Sequence, residues 1–205
     1  MLIVPDRKHL FRPLIIIVLL YVLPVLIFKK YDFLFDFRFT IFGGLWFSAI
    51  IYAVLTRHGW EELGFGNANL INSLKENGVF TILSIPIILV RHFFIQPNVA
   101  YRPLGGGLDL AIIYSLLFAP IQEFIFRSLL FAELKKLTRN KLLQIVISSG
   151  LFFLFHLIYT NKFLIFSSSV AGVFGNFSYA RNRNIYGVIF SHSIVGAAAI
   201  LLNLI

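Results

Sequence analysis

The sequence predicts an all-α protein, a polytopic transmembrane helical bundle of about seven spans. Two observations predict it. The chain of 205 residues is 59% hydrophobic and only 13% charged, with a mean hydropathy of +0.86, whereas a water-soluble domain of that length shows far more charged surface. The apolar residues fall into runs long enough for membrane helices, and most Lys and Arg lie between those runs. Cysteine is absent, so disulfides, thiolate nucleophiles and Cys-based metal sites are excluded together. A net charge of +9 could suit nucleic acid, but basic groups placed between apolar runs answer to phospholipid headgroups, so the expected surroundings are the lipid bilayer and no nucleic acid.

The N-terminal MLIVPDRKHLFR carries Arg7, Lys8 and Arg12 beside apolar residues and is expected along the cytoplasmic interface. Pro13–Phe28 reads as the first span, with Pro13 in its first turn and Pro24 bending it locally. Lys29 and Lys30 follow without a small-residue cleavage site, which reads as a retained span and not a signal peptide. Phe39–Leu55 is the second span, and WEELGFGNANLINSLKEN after it reads as a wet surface connector. Val79–Ile95 is the third span. The segment Gln96–Gly107, with Pro97, Pro103 and three consecutive glycines, is expected to be irregular. The remaining spans are Leu108–Leu134, Leu142–Tyr159, Phe163–Ala180 and Ile185–Ile205. In the sixth, Ser169, Gly172 and Asn176 recur at helical spacing and make a small-residue face for a neighbouring helix.

With the N-terminus cytoplasmic, eleven Lys and Arg fall on the cytoplasmic side and six opposite, so the bias predicts a multi-pass cell-membrane protein with its N-terminus cytoplasmic. Residues 1–107 then supply N-terminal spans and a connector, and 108–205 the helices that hold the chemistry.

That chemistry centres on FAPIQEFIFRSLLFAELKK, Phe118 to Lys136. Glu123 and Arg127 stand four residues apart in an apolar run and share a helix face. Ionisable groups at membrane depth are costly and mark functional sites by default, although an ion pair can also serve packing alone. His156 and His192 add an imidazole to each of two later spans. A lone buried histidine is more often a satisfied core residue, but three helices contributing polar groups favour convergence on one cavity, because each would otherwise be desolvated at about 1–3 kcal/mol. There a carboxylate and an imidazole can draw a proton from water, and a second imidazole can stabilise the oxyanion formed on a carbonyl. Arg127 would orient Glu123 and keep it ionised.

One Glu and two His also compose an open zinc site, so Glu123, His156 and His192 form the alternative metal set, with zinc the alternative cofactor to none. No His-Glu-x-x-His spacing supports it. Gly-x-Ser-x-Gly is absent and no aspartyl dyad is apparent. Gly105–Gly107 lacks the Lys-Ser/Thr of a phosphate loop. Glu61 and Glu62 read as a solvated loop.

Gln122-Glu123-x-x-x-Arg127, then Phe152-x-x-x-His156, then His192-x-x-x-Gly196 resembles the CPBP superfamily of intramembrane proteases, the CAAX prenyl protease and bacteriocin-processing (Abi) group, over roughly Leu108 to Ile205. The resemblance implies an intramembrane endopeptidase that hydrolyses a peptide bond near the membrane with activated water, acting on a membrane-associated peptide or protein. The family's first motif is usually Glu-Glu-x-x-x-Arg with the first Glu as base; here Gln122 stands there, so the base would be Glu123. The third motif usually ends in Asn or Asp, where this chain has Gly196. Carried over by position, Glu123 and His156 would activate water, His192 would polarise the scissile carbonyl, and Arg127 and Gln122 would orient carboxylate and substrate. Gln122 and Gly196 support an alternative, a catalytically inactive relative that binds a hydrophobic peptide in an immunity or scaffold role. A transporter or channel subunit would need more charges lining a polar path than the sequence offers.

Overall fold

The computed structural model describes residues 7–95 and 104–202, and among these the regular structure is entirely helical. The first rod is α1 (Arg7–Ile17), a π-helical turn at Val18–Val22 and α2 (Leu23–Lys30). A 3₁₀ segment, Asp32–Phe37, turns the chain into α3 (Arg38–Leu55). After a loop, α4 (Leu70–Val90) runs on through a π-helical segment at Arg91–Ile95. The longest rod joins α5 (Leu104–Ile113), a π turn at Tyr114–Phe118, α6 (Ala119–Glu123), a second π turn at Phe124–Leu129 and α7 (Leu130–Leu137). α8 (Lys141–His156), α9 (Lys162–Asn182) and α10 (Tyr186–Leu201) complete the bundle.

This is a helical membrane bundle. Among the described residues, Phe11–Lys30, Leu70–Ile95, Gly107–Leu137 and Lys162–Asn182 are long and apolar enough to cross a bilayer, and Thr40–Leu55, Lys141–His156 and Tyr186–Leu201 are shorter apolar helices. At 16 residues each, α8 and α10 reach about 24 Å, short of a hydrocarbon core of about 30 Å. Large apolar side chains such as Phe47, Val54, Ile82, Phe94, Leu116 and Phe166 face outward, where lipid would meet them.

Two of the proline-bearing rods share a device. Pro24 and Pro120 each lack an N–H and crowd the carbonyl four residues back, at Leu20 and Leu116, and both of those positions fall in π turns. The widened turn absorbs the clash, so each rod continues without a break.

Three boundaries depart from the sequence expectation. The first helix begins at Arg7, which puts Pro13 inside it and not in its first turn, a position membrane helices tolerate when neighbouring turns adjust. Gly105–Gly107, expected to be irregular, opens α5, because pairing backbone groups outweighs a glycine penalty of about 1 kcal/mol each. The rest of that segment, 96–103, lies outside the described residues. The polar stretch LINSLKEN, expected as part of a surface connector, is the first part of α4. Its buried Ser73, Asn77 and Thr81 donate to the Asn184 carbonyl (3.2 Å), Ser178 Oγ (2.8 Å) and Ser191 Oγ (3.0 Å). A polar helix face is thus paired with polar groups in and around α9 and α10, at roughly 0.6 kcal/mol per interhelical bond.

The loop between α3 and α4 is also fastened. His58 lies 3.0 Å from Glu62 and 3.0 Å from the fully buried Glu133, whose carboxylate also accepts from Tyr52 (2.9 Å) and Lys136 (2.7 Å). Glu62 therefore has a partner that its sequence context did not suggest. Partial burial alone would raise its carboxyl, but the His58 hydrogen bond and the charges of His58, Lys136 and Lys135 outweigh that and hold it below the usual carboxylate range.

Aromatic packing fills the centre. Phe126 meets Tyr21, Phe152 and Phe155 edge-on, and Phe42 tilts against Phe155. The small-residue face foreseen on α9 is used by α8: Gly172 lies against the Phe152 ring, and Asn176 is bonded to Ser148 and Ser149. Gly187 sits so near Ser73 that an added Cβ would overlap the Ser73 backbone carbonyl. Gly187→Ala should therefore push α4 and α10 apart and cost about 1–3 kcal/mol, read as a lower melting temperature of the detergent-solubilised protein.

Candidate active site

Glu123 ends α6, and Arg127 lies in the π turn that follows. Both are removed from solvent, at 1% and 2% exposure, so neither charge is screened by water. Arg127 Nε lies 3.0 Å from Glu123 Oε2. The other carboxylate oxygen, Oε1, faces His192 Nδ1 of α10 in a short hydrogen bond. The guanidinium also lies 4.3 Å above the Phe152 ring, and Gly175 of α9 makes room for it: a Cβ there would come within 3.0 Å of Nη2. Arg127 is thus enclosed by a carboxylate, an aromatic face and a bare stretch of backbone.

The turn that carries Arg127 is held by two groups outside it. A π turn displaces carbonyls from regular pairing, and here Ile125 accepts from Tyr21 Oη (2.7 Å) and Phe126 from Ser148 Oγ (3.0 Å).

Phe152 of α8 organises the opposite wall. Its carbonyl lies 2.8 Å from His156 Nδ1. A carbonyl can only accept, so the neutral ring carries its hydrogen on Nδ1 and its lone pair on Nε2. The Phe152 ring neighbours both imidazoles, 4.5 Å from His156 and 6.5 Å from His192 between centroids.

These groups line one cavity of about 350 Å³, to which Glu123, Arg127, His156 and His192 all contribute. Its remaining wall is chiefly apolar, with Leu83, Ile87, Phe163 and Phe166 among its residues. The structure therefore brings together four of the five site residues read from the sequence. Gln122 is buried but is not among the described residues lining this cavity.

Tyr114 was missed. Its hydroxyl lies 2.7 Å from His192 Nε2, and its ring occupies the space that a Cβ on Gly196 would need. A tyrosine on an apolar helix reads as an interfacial or packing residue. The available signal was Gly196, a bare position one turn from a histidine.

The alternative zinc set meets a geometric limit. His192 has Nδ1 on Glu123 and Nε2 on Tyr114, and His156 has Nδ1 on a carbonyl. A metal ion would have to displace Glu123 or Tyr114 to gain a nitrogen of His192, whereas His156 keeps Nε2 open. Among the described residues, no group of three or more His, Asp and Glu side chains is arranged to hold a metal ion.

Residues 103–198 match the model of the Rce1-like family, described as type II CAAX prenyl endopeptidase Rce1-like. Over that span the chain is similar to a family of proteases. Among curated proteins and among solved structures, nothing matches. The Rce1-like span begins just before α5 and ends inside α10, so it takes in Tyr114, Glu123, Arg127, His156 and His192 of the cavity wall. It agrees with the resemblance carried by the three motifs.

Removing Arg127 alone leaves a buried carboxylate with one partner fewer. Arg127→Met should cost about 3–5 kcal/mol, and Arg127→Met with Glu123→Gln should recover much of that, as measured by the detergent melting temperatures of the single and double variants.

Proposed function

We propose that this chain is an intramembrane endopeptidase of the CPBP type, hydrolysing a peptide bond of a membrane-associated peptide or protein. The observation that carries the reading is one cavity on which a carboxylate, a guanidinium and two imidazoles converge, within a span similar to prenyl endopeptidases. Cavities of this volume suit a short stretch of chain, and the apolar wall suits a hydrophobic or lipid-modified one.

His156 Nε2 takes a proton from water as the water oxygen bonds to the scissile carbonyl carbon, and the carbonyl electrons move to oxygen. His192, oriented by Glu123, supplies positive charge to that oxyanion. When the carbonyl re-forms, the C–N bond breaks and His156 returns the proton to the leaving amine, giving a carboxylic acid and an amine. Glu123 thereby serves both the water side, through the field it exerts on His156, and the oxyanion side, through its bond to His192. Arg127 holds the carboxylate ionised.

The test uses the full chain in lipid vesicles with two quenched fluorogenic peptides, one ending in a prenylated Cys-aliphatic-aliphatic-X sequence and one held by a transmembrane segment. Glu123→Gln and His156→Ala should each lower kcat at least a hundredfold, with unchanged binding. Wild-type activity in either variant would overturn the assignment. Peptide binding without cleavage by the wild type would favour the inactive, peptide-binding alternative.

The N-terminus is placed in the cytoplasm in this reading. Because the chain has no cysteine, Lys30→Cys and Lys136→Cys each introduce a single thiol. An impermeant maleimide should label Lys30→Cys from outside intact cells and label Lys136→Cys only after lysis; the reverse pattern inverts the topology.

A further inference from the structure

Gly196 and Tyr114 form one feature and not two. On α10, Gly196 follows His192 by one turn, so a side chain there would share the face that carries the imidazole. Instead that space holds the Tyr114 ring, which reaches in from the π turn ahead of Pro120 and presents its hydroxyl 2.7 Å from His192 Nε2. Tyr114 lines the same cavity as Glu123 and His156. We propose that Tyr114 is a catalytic residue of this chain, delivering the hydrogen bond to the oxyanion that a side chain at position 196 cannot supply. The proposal rests on the peptidase reading above and adds the donor to it.

The hydrogen positions follow from the partners. Glu123 can only accept while ionised, so His192 Nδ1 carries a hydrogen. When His192 is neutral, its Nε2 is a lone pair and the tyrosine O–H donates to it. When His192 is an imidazolium, Nε2–H donates to the tyrosine oxygen, and the phenolic hydrogen is free to turn toward the cavity. The charged state thus lines up carboxylate, imidazolium and phenol as a chain of hydrogen bonds ending at the reacting oxygen, with no net proton transfer through it. The site has the negative charge on Glu123 to support that state.

The test is made on the full chain in vesicles with the prenylated fluorogenic peptide as probe. Tyr114→Phe keeps the ring that fills the space beside Gly196 and removes only the hydroxyl. It should lower kcat by about 10²–10³ with KM within about twofold and an unchanged melting temperature. Replacing Tyr114 with 3-fluorotyrosine and 3,5-difluorotyrosine should make kcat follow phenol acidity, which a merely packing or positioning hydroxyl would not. Gly196→Ala should expel the ring and lose kcat to a similar degree. Wild-type kcat in Tyr114→Phe, or a loss in that variant together with fluorinated variants that all match wild type, overturns the proposal while leaving the peptidase reading intact. A wild type that binds the probe and does not cleave it overturns that reading, and the role of Tyr114 with it.

Discussion

A carboxylate and a guanidinium that have both left water need partners for every exposed charge and hydrogen, and that requirement shapes the second half of this chain. Glu123 and Arg127 satisfy part of it between themselves. Three other helices close around the pair: His192 on α10 bonds the carboxylate, the Phe152 face on α8 lies against the guanidinium, and the open backbone at Gly175 on α9 leaves it room, while Arg127 Nη1 stays buried without a hydrogen-bond partner. In a bilayer, where apolar contact between helices gains little over contact with lipid, such polar and close-packed contacts largely decide which helices meet. The same contacts that stabilise the bundle therefore assemble the cavity.

The rods that supply the site are irregular helices, and the irregularity has a use. A regular helix across Pro120 would break or kink at Leu116, whereas the π turn there carries the rod through and aims Tyr114 at His192. The next π turn holds Arg127 and frees two carbonyls, which Tyr21 and Ser148 satisfy from helices on either side. The first rod, outside the span similar to prenyl endopeptidases, thus contributes directly to the shape of the turn that carries Arg127.

Phe152 shows how one residue can serve several purposes without chemistry of its own. Its carbonyl fixes the tautomer of His156, its face covers Arg127, and its ring packs near both imidazoles. An aliphatic side chain could fill the volume but would offer no aromatic face to the guanidinium. On the far side of α7, Glu133, His58, Lys136 and Tyr52 form a second polar cluster that fastens the loop after α3, so charges in this chain are held in groups even where no cavity opens.

Much of this was legible in the residues themselves. Composition and the spacing of apolar runs established a helical membrane bundle, and the Glu123, Arg127, His156 and His192 constellation was readable because ionisable groups in apolar surroundings have few inexpensive explanations. What needed the tertiary structure was anything decided by a partner distant in sequence. Ser73 and Asn77 look like loop residues, and Thr81 like an ordinary residue of an apolar span, until α9, α10 and the turn between them supply their hydrogen-bond partners. Glu62 looks solvated until His58 turns toward it, and Gly196 looks like a missing side chain until the Tyr114 ring is seen to occupy its place. Residue type reports the cost of burying a group, which the sequence carries locally. Which group offsets that cost is fixed only when helices far apart in the chain come into contact.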